Sequence, residues 1–109
     1  MPSPKRYTYR ILYVGRDHAL LEFLQDALSR LDCFVVRCPR GSEARSFIAG
    51  IDYSLLLFDD ELPDISGSEL EKLARQFPHR EHTPIIIIKR SDDFDSLIET
   101  IKKRLGERA

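Results

Sequence analysis

The chain has 109 residues, 42% of them apolar and 32% charged, with a net charge of −1; this describes one globular domain large enough to bury a core without disulfide or metal staples. So even a charge balance gives no general attraction toward nucleic acid or an anionic membrane. No apolar run approaches the ~18 residues of a membrane span, and the first ten residues carry no signal-peptide apolar stretch, so the cytoplasm is the expected address.

Residues 1–8 are a short basic lead with two prolines, expected to be flexible, and residues 9–109 are expected to form the folded domain. Tyr9 to Val14 reads as a first strand. His18 to Leu31 has helical spacing, with Leu20, Leu24, Ala27, Leu28 and Leu31 on one stripe and Asp17 placed as N-cap. Cys33 to Cys38 is a second strand, followed by a turn at Pro39-Arg40-Gly41. Its two cysteines lie an odd number of positions apart, so they point to opposite faces and do not pair. Ser42 can cap a second helix carrying Ala44, Phe47, Ile48 and Ile51, and Tyr53 to Phe58 is a third strand.

Ser68-Glu-Leu-Glu71 has the form of a capping box, opening a helix with Leu70, Leu73, Ala74 and Phe77. Pro78 to Thr83 reads as a polar loop, in which His79 and His82 carry only a weak metal signal. The fourth strand is Pro84-Ile-Ile-Ile-Ile88, and the last helix carries Phe94, Leu97, Ile98, Ile101 and Leu105, with Gly106 at the C-cap. Lys102, Lys103, Arg104 and Arg108 make its end basic, which suits the helix dipole. Strands alternating with helices predict a parallel sheet covered on both faces.

The segment running from Leu55 to Gly67 carries the most chemistry. Four apolar residues run into Asp59, Pro63 follows, and then Gly67. A continuous apolar run suits a strand buried on both faces. A carboxylate at its C-terminal end sits in the crevice where open α/β sheets place their sites. Asp60 reads as a solvated or capping residue, whereas Glu61, two positions beyond Asp59, faces the same crevice if strand geometry persists.

Ile11-Leu-Tyr-Val-Gly-Arg-Asp-His18, then Leu55-Leu-Leu-Phe-Asp59 and Pro63-Asp-Ile-Ser-Gly67, resembles the receiver domains of two-component response regulators, over about Tyr9 to Leu105. The resemblance implies a flavodoxin-like α/β fold with strand order 2-1-3-4 and usually a fifth strand. It implies that Asp59 stands at the family's phosphoacceptor, taking a phosphoryl group from a histidine kinase with Mg2+ as cofactor. Such a domain is not an enzyme beyond its own phosphorylation. The expected function is a stand-alone, atypical receiver in phosphorelay signalling, with a histidine kinase or other signalling protein as partner. The alternative is a phosphorylation-independent interaction module on the same fold. No nucleic acid or membrane partner is expected.

Two departures from the family qualify that reading. Receivers place two acidic residues after the first strand to hold magnesium, and here those positions are Gly15 and Arg16. Asp59 is then the one family-placed metal ligand, with Asp17, one position further on, as a weaker second. Arg16 could replace part of the metal's charge or hold Asp59 in an ion pair. The chain is also too short for the family's five βα units. One strand and one helix are expected to be missing near the C-terminus, in either of two ways. Lys89 then falls at the pocket rim, where the family's lysine neutralises the phosphoryl group. Ser91 reads as the N-cap of the last helix rather than as the family's hydroxyl switch. The deletion leaves a sheet edge at Pro84 to Ile88, open to pairing with a second copy as a homodimer or shielded by Lys89 and Arg90.

Overall fold

The computed structural model describes residues 9–50, 52–89 and 93–108. Ile51, Arg90 and Ser91, which figure in the expectations above, lie outside the described residues, as does the 1–8 lead. The elements run β1 (Tyr9–Val14), α1 (His18–Ser29), β2 (Cys33–Cys38), α2 (Gly41–Gly50), β3 (Leu55–Asp59), α3 (Gly67–Arg75), β4 (Ile85–Ile88) and α4 (Phe94–Arg108), with one 3₁₀ turn at Pro78–Arg80. The four strands form one parallel sheet ordered β2-β1-β3-β4. This is the flavodoxin-like architecture with one βα unit fewer than the usual five.

Each strand alternates its apolar side chains between two cores, as the two-residue period requires. Ile11, Tyr13, Leu55 and Leu57 meet the stripes of α1 and α4 on one face; Leu12, Val14, Leu56 and Phe58 meet α2 and α3 on the other. A strand apolar at every position is thereby buried throughout: Leu55 to Phe58 are all fully covered. The terminal helix covers the face that α1 alone would leave wet. Leu97, Ile98, Ile101 and Leu105 join Leu20, Leu24 and Leu28, and the Phe23 and Phe94 rings lie 5.2 Å apart. Cys33 and Cys38 fall in opposite cores, both free and buried.

Several local expectations need correction. Helix α1 stops at Ser29, and Leu31 is 38% exposed, because Asp32 turns the chain with a φ of 56° so that its carbonyl meets the Tyr9 amide at 3.1 Å. β3 begins at Leu55 rather than Tyr53. Helix α3 is capped by Ser66, whose hydroxyl accepts the Glu69 amide at 3.1 Å, so the capping pattern lies two residues before Ser68. Helix α2 is not closed by Ser42. The Asp64 carboxylate reaches across to accept the Gly41 amide at 3.1 Å and the Ser42 amide at 2.7 Å. At α4 the capping carboxylate is Asp93, which accepts both the amide and the hydroxyl of Ser96, so the cap expected at Ser91 is displaced. Gly106 lies inside α4 rather than after it.

The supposed polar loop from Pro78 to Thr83 holds the largest fully buried side chain, Arg80, only 1% exposed. Its Nε donates to the Ile48 carbonyl at 3.0 Å and its Nη1 to the Tyr53 carbonyl at 3.4 Å. The guanidinium also lies 5.3 Å from the centre of the Tyr53 ring. Buried charge persists where carbonyl dipoles and an aromatic face replace its hydration.

Candidate functional site

At the C-terminal ends of the strands a cleft of about 290 Å³ opens between the loops after β1, β3 and β4. Its polar lining is Arg16, Asp17, Asp59, Glu61 and Lys89, and Leu20, Ile88 and Phe94 complete its wall. The expectation placed five of these residues together from three distant stretches of chain. The cleft exists because β1 and β3 are neighbours while their following helices leave to opposite faces, α1 to one and α3 to the other.

Asp59 ends β3, half-buried, and its Oδ1 accepts the Glu61 amide at 3.2 Å. Burial pushes its pKa above the ordinary carboxylate value; the Glu61 N–H opposes that, and the negative charges of Asp17, Glu61 and Asp60 add to it. The backbone after Asp59 is pinned: the Asp60 amide donates to the Ile88 carbonyl at 2.9 Å, and Glu61 bridges to Ser66. Gly67 allows this closure. A Cβ there would stand 3.0 Å from Ile87 Cγ2 and 3.2 Å from the Asp59 carbonyl, so a side chain at the start of α3 would have to push the strand ends aside by a few tenths of an ångström.

Asp17 is committed to α1, accepting the Leu20 amide at 3.0 Å. Its own N–H donates to the Tyr13 hydroxyl at 3.2 Å. Tyr13 was missed as a site residue because its position on β1 reads as core. Its phenol reaches up under Gly15, where a Cβ would collide with the ring, so Gly15 underlies the rim without lining it. Burial raises the Tyr13 pKa to about 12, with the Asp59 and Asp17 charges adding to the shift. Arg37 Nε reaches the Gly15 carbonyl at 3.4 Å. Arg16 is exposed at the rim and forms no ion pair with Asp59 among the described residues.

No family model matches the chain. Over 78 residues, 72% of this chain, it is 27% identical to the signal transduction histidine-protein kinase BarA of Escherichia coli K12, a protein of which the match spans 8%. A solved receiver domain from the hybrid histidine kinase CckA is 26% identical, with a TM-score of 0.69 over 88% of this chain and 98% of that one. In sequence and in fold the chain is thus similar to the receiver domains of response regulators and hybrid histidine kinases. A putative response regulator from Chloroflexus aurantiacus superposes with a TM-score of 0.78 at 24% identity, covering 90% of this chain and 98% of that one. The receiver domain of the sensor histidine kinase PA1611 from Pseudomonas aeruginosa, which carries a magnesium ion in its active-site cleft, gives 0.76 at 16% identity with the same coverage.

Among the described residues no three His, Cys, Asp or Glu side chains come together to hold a metal ion. Magnesium needs octahedral oxygen ligands and usually keeps several waters beside one or two carboxylates. Asp59 offers one carboxylate inside the cleft, Asp17 and Glu61 stand on its lining, and Gly15 and Arg16 supply none. Further, no helix among the described residues is long and apolar enough to cross a membrane.

Proposed function

We propose that this receiver takes part in a phosphorelay, accepting a phosphoryl group on Asp59 from a histidine kinase or another phosphodonor. In that step the P–N bond to the donor histidine breaks as an Asp59 carboxylate oxygen bonds to phosphorus. The observation that carries the reading is Asp59 itself: a half-buried carboxylate with a raised pKa on the lining of a cleft whose other polar groups include two cations, Arg16 and Lys89. A phosphoryl group in transfer needs positive charge around its equatorial oxygens. Lys89 is the residue proposed to neutralise the acylphosphate, with Arg16 contributing from the opposite rim. Magnesium, when bound, would supply positive charge that stabilises the transferring phosphoryl group. Asp59 would hold it, with Asp17 as a weak second ligand, and its affinity should be low because Gly15 and Arg16 replace the acidic pair. Residues 9–109 are the unit proposed to carry this activity.

A second reading is favoured by the same substitution. With no carboxylate at positions 15 and 16, the fold would serve as a docking module that does not need phosphorylation. Intact-mass spectrometry after incubation with acetyl phosphate and magnesium separates the two. The expected result is a gain of one phosphoryl group that Asp59→Asn lacks and that requires magnesium well above the level sufficient for a receiver with the acidic pair. A folded protein that never gains the mass from acetyl phosphate or from a phosphorylated kinase domain would replace the phosphorelay reading with the docking one.

A further inference from the structure

The outer side of β4 has no strand against it among the described residues. On its inner side the Leu56 amide donates to the Pro84 carbonyl at 3.0 Å and the Asp60 amide to the Ile88 carbonyl at 2.9 Å. In a parallel ladder alternate residues face one neighbour. Pro84, Ile86 and Ile88 therefore turn toward β3, while Ile85 and Ile87 turn their N–H and C=O groups outward. Edge strands are ordinarily blunted by internal charges, bulges or brevity. This one is brief, but between Pro84 and Lys89 it consists of four isoleucines, the first three only half-buried.

We propose that the outer edge of β4 is a homodimerisation site, on which a second copy of the chain adds its own β4 antiparallel. A two-fold axis through Ile86 sets Ile85 of each copy opposite Ile87 of the other, and these pairs exchange four backbone hydrogen bonds. The sheet would become eight-stranded and continuous.

The charge pattern of α4 selects a second copy over an unrelated strand. Helix α4 runs alongside the edge in the direction opposite to β4. Asp93, Ser96 and Thr100 border the groove beside Ile86, and Arg104 lies beside Pro84 and Ile85. The two-fold axis lays the α4 helices of the two copies antiparallel. The acidic start of each, Asp93 and Asp95, then faces the basic end of the other, Lys103 and Arg104. Each helix terminus also meets a dipole of opposite sign. Ser96 and Thr100, short side chains near the axis, let the helices approach. The site is independent of whether Asp59 is phosphorylated.

Sedimentation velocity on the full chain from about 1 to 500 µM tests this, together with hydrogen exchange at both ends of that range. A concentration-dependent dimer is expected, with the Ile85 and Ile87 amides slowing on dimerisation while the Ile86 and Ile88 amides are protected throughout. Ile87→Pro removes an outward N–H without touching the β3 ladder, and Thr100→Arg puts bulk and charge at the axis on an exposed position. Each should weaken dimerisation by at least about tenfold. Ile87 also packs on Gly67, so Thr100→Arg guards against a folding defect in the proline variant. A monomer across the whole range, a dimer indifferent to Thr100→Arg, or a dimer whose Ile85 and Ile87 amides stay unprotected would each overturn the proposal. A monomer that instead takes up an extended peptide along β4 would reassign the edge.

Discussion

The two ends of the sheet handle charge in opposite ways. At the N-terminal ends of the strands, Arg80 is buried with two carbonyl acceptors and an aromatic ring, and Arg75 Nη1 gathers the carbonyls of Arg80, Glu81 and Thr83 at 2.7, 3.1 and 2.7 Å. Positive charge there is spent on tying the α3–β4 connection to the body of the domain. At the C-terminal ends, Asp59 accepts the Glu61 amide and has three acidic neighbours, and its ionised form is disfavoured. A satisfied buried charge holds a structure together, whereas an incompletely compensated one keeps reactivity at some cost in stability. Asp64 shows that a carboxylate in the same β3–α3 connection can be compensated. Five residues beyond Asp59, its carboxylate accepts the first two amides of α2, and those N–H groups hold its pKa below the ordinary value.

The largest expected effect is at the structural end. Arg80→Met removes the guanidinium donors of the Ile48 and Tyr53 carbonyls, of which Ile48 keeps His79 Nε2 at 3.2 Å, and should cost about 2–4 kcal/mol in chemical denaturation. A loss under about 0.5 kcal/mol would mean that the contrast between the two ends is false.

Asp64→Asn should lower Tm at neutral pH by an intermediate amount. Its folded-state pKa is depressed, so the carboxylate's contribution is present above the unfolded value near 3.9 and is lost as pH falls through the folded one. The gap between wild type and variant should therefore close in acid. A gap that persists at pH 2 would point to the loss of shape rather than charge.

The smallest effect has the opposite sign. A raised pKa means that ionised Asp59 opposes folding: its protonated form favours the fold at low pH, and that advantage is lost as pH rises through the folded-state pKa. Asp59→Asn should gain up to about 1 kcal/mol at pH 7, kept modest by solvent screening of a half-buried group. The gain should fade as pH falls through the folded-state pKa and be gone below about pH 4. Destabilisation at pH 7 would show that the cleft compensates the charge after all.

Most of the architecture was legible in the linear chain. Two-residue and 3.6-residue periodicities are local consequences of backbone geometry, so strands, helices and their buried faces could be read directly. The run ending at Asp59, with Pro63 and Gly67 behind it, located the centre of the cleft. The shortness of the chain implied the missing βα unit and the terminal helix beside α1. Local chemistry also marked Asp17 as a cap, since a side chain three residues from its amide partner needs no tertiary information.

What escaped were the individual polar contacts made across the fold. Asp64 caps a helix that begins 23 residues earlier in the chain, and no spacing rule records such a partner. Arg80 looked solvated because charged residues between proline and threonine ordinarily are. It is buried because the end of α2 and the stretch before β3 present carbonyls to it. Tyr13 read as core, and its periodicity gave no sign that its hydroxyl accepts the Asp17 amide at the edge of the cleft. The periodic pattern is written by forces acting between near residues, so the sequence by itself determined the elements and the place of Asp59. Tertiary packing alone decided which charges would be compensated, because compensation requires a partner whose distance in space is unrelated to its distance along the chain.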